Sequence, residues 1–184
     1  MTGQTIDNIH KIKTISFRLR LICNIIFYLT PVVILAYWMN YNNWPEYLKY
    51  VNVDNFTLCK ILPLHTELIC ALIAMIPGGI IMLATKYLTG LFSLYENKIF
   101  FSADNINYIK KLGKLVIIWS FTDIFMNTLM ILAISMNNPP GQRLLSIGVG
   151  TFQFSTLFIG SAIILISLVM DEARLINDEQ QYTI

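Results

Sequence analysis

Four long apolar runs, at residues 21–39, 67–88, 112–136 and 144–170, divide the chain, and its polar residues gather between them. Each run is close to or above the roughly 20 residues that a helix needs to cross a bilayer. The third, LGKLVIIWSFTDIFMNTLMILAISM, is about 37 Å long as a helix and carries Asp123 at its middle. Ser120 at i−3 and Asn127 at i+4 share the helical face of Asp123. A carboxylate at the centre of a span costs about 2.5–3.5 kcal/mol on insertion scales, so this face is expected to point at other helices. The pattern predicts an all-α polytopic membrane protein, with four transmembrane helices in a bundle and a single domain over residues 1–184.

Before the first run, Ile6, Ile9, Ile12 and Ile15 recur every third residue among Lys11, Lys13, Arg18 and Arg20. The spacing suits a short helix lying on the membrane surface or a basic flank that sets orientation, and the flank is the commoner use. The first run is expected to be retained as a span, because Ala36-Tyr37-Trp38 offers no small-residue cleavage site. Pro31 at its centre predicts a kink. Trp38, Tyr41, Trp44, Tyr47 and Tyr50 then crowd together as in an aromatic belt at the lipid headgroups, with a ligand cage as the sharper alternative. Pro45 suits the first turn of a short helix there.

The second run is interrupted by Pro77-Gly78-Gly79. Such a break is either a kink with close packing or a discontinuous helix with free carbonyls, and both readings place it level with Asp123. A connecting segment at about 89–111 follows. Leu91, Phe92, Leu94 and Tyr95 continue the second helix, and Glu96-Asn97-Lys98 reads as a turn. Ser102 then caps a new helix, with Asp104 in its first turn, that runs through Lys110 and Lys111 into the third span. Residues 136–141, MNNPPG, form a compact turn. In the fourth run Gln153 is the one large polar side chain, and Gly148, Gly150, Gly160 and Ser161 are close-packing positions. The polar tail from Asp171 extends that helix.

Composition agrees with the pattern. The chain of 184 residues is 55% hydrophobic and 13% charged, against about 45–50% and 25% for a soluble domain. A net charge of +2 argues against direct nucleic acid binding and leaves the lipid bilayer as the first partner. Of the 13 Lys and Arg, ten lie in the N-terminus, the segment 86–114 and the tail: Lys11, Lys13, Arg18, Arg20, Lys86, Lys98, Lys110, Lys111, Lys114 and Arg174. Only Lys49, Lys60 and Arg143 lie on the other side, so the positive-inside rule predicts both termini in the cytoplasm. Pro31, the Pro77-Gly78-Gly79 break and Asp123 then fall near one depth, with Gln153 about one turn nearer the outside.

The connecting segment LFSLYENKIFFSADNINYIKKLGKL resembles that of an uncharacterised bacterial family of four-span membrane proteins, through Leu94, Tyr95, Phe100, Phe101, Ser102, Asn105, Ile106, Lys110, Lys111, Leu112 and Gly113. Glu172 and the closing Thr183-Ile184 resemble the family's acidic tail. Lys98 departs from the pattern, which has glycine there. The resemblance implies a bacterial inner-membrane location. It also implies a link to a small Cro/C1-like helix-turn-helix regulator, often encoded beside family members. It supplies no catalytic residues. Tyr95, Phe101, Ser102, Asn105, Lys110 and Lys111 are therefore the candidate cytoplasmic interaction surface.

The remaining chemistry is sparse. Cys59, His65 and Cys70 lie close in sequence, but their spacing fits no established metal motif, and buried apolar cysteines or a disulfide compete as readings. His10 and His65 lie on opposite sides of the membrane and do not suit a haem. No catalytic triad, phosphate loop or paired intramembrane carboxylate is present, so neither an enzyme nor a cofactor is expected. The candidate intramembrane polar site is Asp123, Asn127, Ser120 and Gln153 with Pro77, Gly78 and Gly79. Three functions fit: a sensor or interaction protein working through its cytoplasmic segment, a small transporter or channel component with Asp123 as proton or cation site, or an accessory subunit. Four spans make a narrow bundle, so transport would call for a homo-oligomer.

Overall fold

The computed structural model describes residues 3–49, 52–53, 56–57 and 61–182. Tyr50, Cys59, Lys60 and Thr183-Ile184 lie outside the described residues. Four helices carry the fold: α1 (Gly3–Met39), α2 (Leu64–Glu96), α3 (Ala103–Ser135) and α4 (Thr151–Tyr182). Each is long and apolar enough to cross a membrane. Between α1 and α2 lie two short 3-10 turns, Tyr41–Asn43 and Glu46–Leu48, and a two-residue antiparallel pairing of β1 (Asn52–Val53) with β2 (Phe56–Thr57).

The helices pack in chain order, α1 on α2, α2 on α3 and α3 on α4, while α4 makes no comparable contact with α1 or α2. Among the described residues the bundle is thus an open row, with α4 held chiefly by α3. Two ends can be distinguished by their connections, a loop end carrying the α1–α2 link and a turn end carrying the α2–α3 link.

The first three helices are tied together along their length. At the turn end, Arg20 Nε sits 3.0 Å from Glu96 Oε1. The Thr89 hydroxyl donates to Asn24 Oδ1 at 3.3 Å. At the loop end, the Leu62 N–H donates to Asn42 Oδ1 at 2.8 Å, and Asn42 Nδ2 donates to the Leu62 carbonyl at 2.9 Å. Asn137, just past α3, donates to the Thr66 hydroxyl at 3.1 Å.

Several expectations change. The chain 4–30 contains neither glycine nor proline, and the basic N-terminal stretch is one helix with the first span rather than a separate element. The α2 helix continues through Pro77-Gly78-Gly79, so the discontinuous-helix alternative does not hold, and α1 likewise continues through Pro31. Gly78 serves packing: a Cβ there would lie 2.5 Å from Ile34 Cδ1, so α1 and α2 cross at this point. Trp38 and Tyr41 do not form a lipid-facing belt. They are 3% and 0% exposed, their rings stack at 5.2 Å, and they build the core of the loop end with Leu62, Cys70, Met130 and Ile134. Trp44 and Tyr47 remain exposed.

The largest difference concerns α4. Hydropathy places the fourth run from residue 144, but the helix begins at Thr151, and residues 143–150 have neither helical nor strand hydrogen bonding. Side-chain apolarity is the same whether the backbone is coiled or extended, so hydropathy could not distinguish the two.

Candidate functional site: the α3–α4 junction

Asp123 lies about 18 Å along α3 from its last residue, Ser135. There it meets the first turn of α4. Gln153 is the third residue of that helix, and its Nε2 donates to Asp123 Oδ2 at 2.6 Å. Its Oε1 reaches back to accept the Gly150 N–H at 2.8 Å, the reciprocal half of a capping box. One side chain therefore closes the helix start and ties it to the carboxylate. The exposed N–H groups of a first helical turn carry partial positive charge, which favours an anion beside them. Ser120, buried one turn below, donates to the Gln153 carbonyl at 2.9 Å.

Ser120, Asp123 and Gln153 thus come together. Asn127 and Pro77 join Asp123 along a pocket of about 270 Å³, with the rings of Tyr37, Trp38 and Trp119 forming much of the rest of its wall. Asp123 Oδ1 has no hydrogen bond among the described residues. Gly78 and Gly79 are not part of this arrangement: the first is in the α1–α2 contact, and nothing lies within 4 Å of a Cβ on the second. No discontinuous helix forms in α2; it is α4 that starts late, level with Asp123. The available signal was Gly148, Gly150 and Gln153 together: small residues at the helix start, and a glutamine three past the last of them.

The α2–α3 turn divides the candidate interaction surface. Ser102 caps α3 by accepting the Asn105 N–H at 3.2 Å, as its sequence position suggested. Asn105, however, is fully buried, donating to the Phe100 carbonyl at 2.6 Å and accepting from the Tyr95 hydroxyl at 3.4 Å. Tyr95, Ser102 and Asn105 therefore hold the turn itself rather than offering a docking face. Lys111 Nζ rests 5.4 Å above the Tyr87 ring. Phe101, 74% exposed, and Ile99 are the outward apolar groups, with Lys110 half-buried.

Lys98, where the resembled pattern has glycine, adopts a left-handed φ of 63°. It sits at the helix end with the Lys98 N–H on the Tyr95 carbonyl at 3.1 Å and the Ile99 N–H on the Leu94 carbonyl at 3.0 Å, the two bonds of a Schellman motif.

On the candidate metal ligands, His65 is exposed and Cys70 fully buried; five residues apart on α2, they point from different faces. Cys59 is outside the described residues.

A family model described as a protein of unknown function, DUF2975, matches residues 38–184. The chain belongs to this family, and the junction and the turn both lie within the matched span. No curated protein and no solved structure matches it.

Proposed function

We propose that this member of the family is a non-enzymatic membrane sensor or interaction protein, whose moving part is α4 and whose joint is Ser120–Asp123–Gln153. The observation carrying this reading is that α4 packs chiefly on α3 among the described residues, is tied at its start through Gln153, and continues without a break into the polar tail to Tyr182. A ligand or proton that competes for Asp123 releases Gln153, and the rigid helix carries the change to the other end. The Lys and Arg count supports a cytoplasmic location for that end, with the N-terminus and the α2–α3 turn, and the sequence resemblance supports a bacterial inner membrane. Ile99, Phe101, Lys110 and the tail are then the surface offered to a cytoplasmic regulator.

Two measurements test this. Reporter fusions at residues 95–102 and in the tail should be cytoplasmic, and fusions at residues 40–49 and 137–143 should not; a cytoplasmic signal at Asn43 would overturn the orientation. Arg174 is the one basic residue of the tail, so trypsin cleavage there in inside-out vesicles reports on the tail. Gln153→Leu should change that cleavage rate and the capture of a cytoplasmic partner together. Unchanged values for both in a folded variant would sink the coupling.

The unpaired Asp123 Oδ1 on the aromatic pocket specifically favours a second reading, a small transporter or channel component with Asp123 as its cation or proton site. On that reading Asp123→Asn folds normally and loses flux in reconstituted vesicles.

A further inference from the structure

The pocket beside Asp123 draws on three helices. One stripe of α3 supplies Trp119, Asp123 and Asn127, spaced at i, i+4 and i+8, and α1 supplies Tyr37 and Trp38. Neither Asp123 Oδ1 nor the Asn127 side chain has a hydrogen bond among the described residues. No Lys or Arg lines the pocket. A carboxylate in an apolar setting calls for a counter-charge, and this wall provides none.

The wall also narrows what that counter-charge can be. A hard metal ion takes about six to eight oxygen ligands. The lining has two polar side chains of that kind, and no group of three His, Cys, Asp or Glu suited to a metal occurs among the described residues. An organic ammonium needs only what is present: an acceptor for its N–H and aromatic rings to attract its charge, tryptophan being the best of them.

The pocket also continues beyond this head site. Ala74, Pro77 and Trp119 line a second cavity, of about 430 Å³, between α1 and α2. Its further lining, which includes Ile26, Val33 and Ile81, is apolar apart from Thr30, whose hydroxyl donates to the Ile26 carbonyl at 2.7 Å. From Ala74 to Ile81 the groove covers about 10 Å of α2. A head at Asp123 and one apolar chain would fill both spaces.

We propose that the chain binds a cationic amphiphile, a protonated amine carrying a single apolar chain. Its ammonium donates to Asp123 Oδ1 and to the Asn127 amide oxygen beside the rings of Tyr37, Trp38 and Trp119, and its chain occupies the groove toward Ile26 and Ile81. The assignment rests on the reading of Asp123 as the group for which a ligand competes with Gln153, and it supplies that ligand's chemistry.

The full chain in phosphatidylcholine nanodiscs is titrated with octylammonium, and uptake by empty nanodiscs is subtracted. One molecule per chain should bind saturably. Asp123→Asn keeps an oxygen for Gln153 and should bind about tenfold or more weakly. Trp119→Leu should lose about fivefold, and Trp119→Phe, which keeps a ring, should recover part of that. Ile81→Trp narrows the groove and should weaken octylammonium several-fold while sparing the compact benzylammonium. Uptake no greater than in empty nanodiscs overturns the proposal. So does equal binding by a folded Asp123→Asn chain, displacement by octanol as effective as by the amine, or displacement by millimolar Na⁺ or Ca²⁺. Equal loss of both amines in Ile81→Trp overturns the placement of the chain. Saturable binding that leaves tail cleavage at Arg174 unchanged supports this ligand and tells against the moving α4. Absent binding, with cleavage still altered by Gln153→Leu, removes the ligand and leaves the joint standing.

Discussion

Gly113 of α3 and Gly160 of α4 face each other so closely that a Cβ on either would lie 3.0–3.1 Å from the other's carbonyl oxygen. These two positions let α3 and α4 approach backbone to backbone. Gly160→Ala would also place its methyl 2.7 Å from Ile117 Cγ1. Backbone cannot step aside as a side chain does, so a loss of about 1–3 kcal/mol is expected, seen as a lower thermal midpoint in nanodiscs. Gly79→Ala, with open space around it, is the control and should hold or raise the midpoint. An unchanged midpoint for Gly160→Ala would mean that the two helices do not meet there.

The left-handed Lys98 predicts a stabilising substitution. A side chain in that region crowds the following carbonyl, whereas glycine does not. Lys98→Gly should gain roughly 0.5–1 kcal/mol while leaving the Schellman bonds intact. Lys98→Ala removes the charge and keeps the Cβ, so it should bring no gain; equal gains from both would point to charge as the cause.

Asn105 is expected to be the most sensitive residue of the turn. Asn105→Ala strips the Phe100 carbonyl of its donor and the Tyr95 hydroxyl of its acceptor, both next to a fully buried position. Unpaired buried groups cost about 1–3 kcal/mol in such sites. Faster proteolysis between α2 and α3 would register the loss. Phe101→Ala, at an exposed position, should leave that rate unchanged and instead weaken capture of a cytoplasmic partner.

At the junction, Asp123→Asn and Asp123→Leu separate hydrogen bonding from charge. Asn keeps an oxygen for Gln153 Nε2, and Leu leaves that donor unpaired beside a helix start. Leu should lower stability by about 1–3 kcal/mol and Asn by much less. Asn-variant stability as low as that of the Leu variant would show that the negative charge beside the first turn of α4, rather than the bond, holds the junction.

Much of this was written in local sequence. Ser102 with Asp104 announced the start of α3, and Glu96-Asn97-Lys98 its preceding turn, because caps and turns are satisfied by neighbours in the chain. That Asp123 should face other helices followed from the expense of isolating polar groups in an apolar run, but which polar residue would meet it did not. What could not be read was backbone state inside uniform apolarity, which hid the extended stretch before Thr151. Aromatic residues near a span end were equally ambiguous: Trp38 and Tyr41 look the same in composition whether they meet lipid or, as here, Leu62 and Ile134. Asn105 sat in a polar-looking segment, and only the fold back of Phe100 onto it explains its burial.

Helix α1 runs for 37 residues without interruption, about 55 Å, against roughly 30 Å of hydrocarbon. Some 25 Å of it must stand clear of the oily layer or be absorbed by tilt. It is held to α2 at Arg20, about 27 Å from Trp38 and about 13 Å from Lys11. A rigid tilt about that point would therefore carry a shift around Trp38 to the stretch bearing Lys11, Lys13 and Arg18 reversed in direction and about halved.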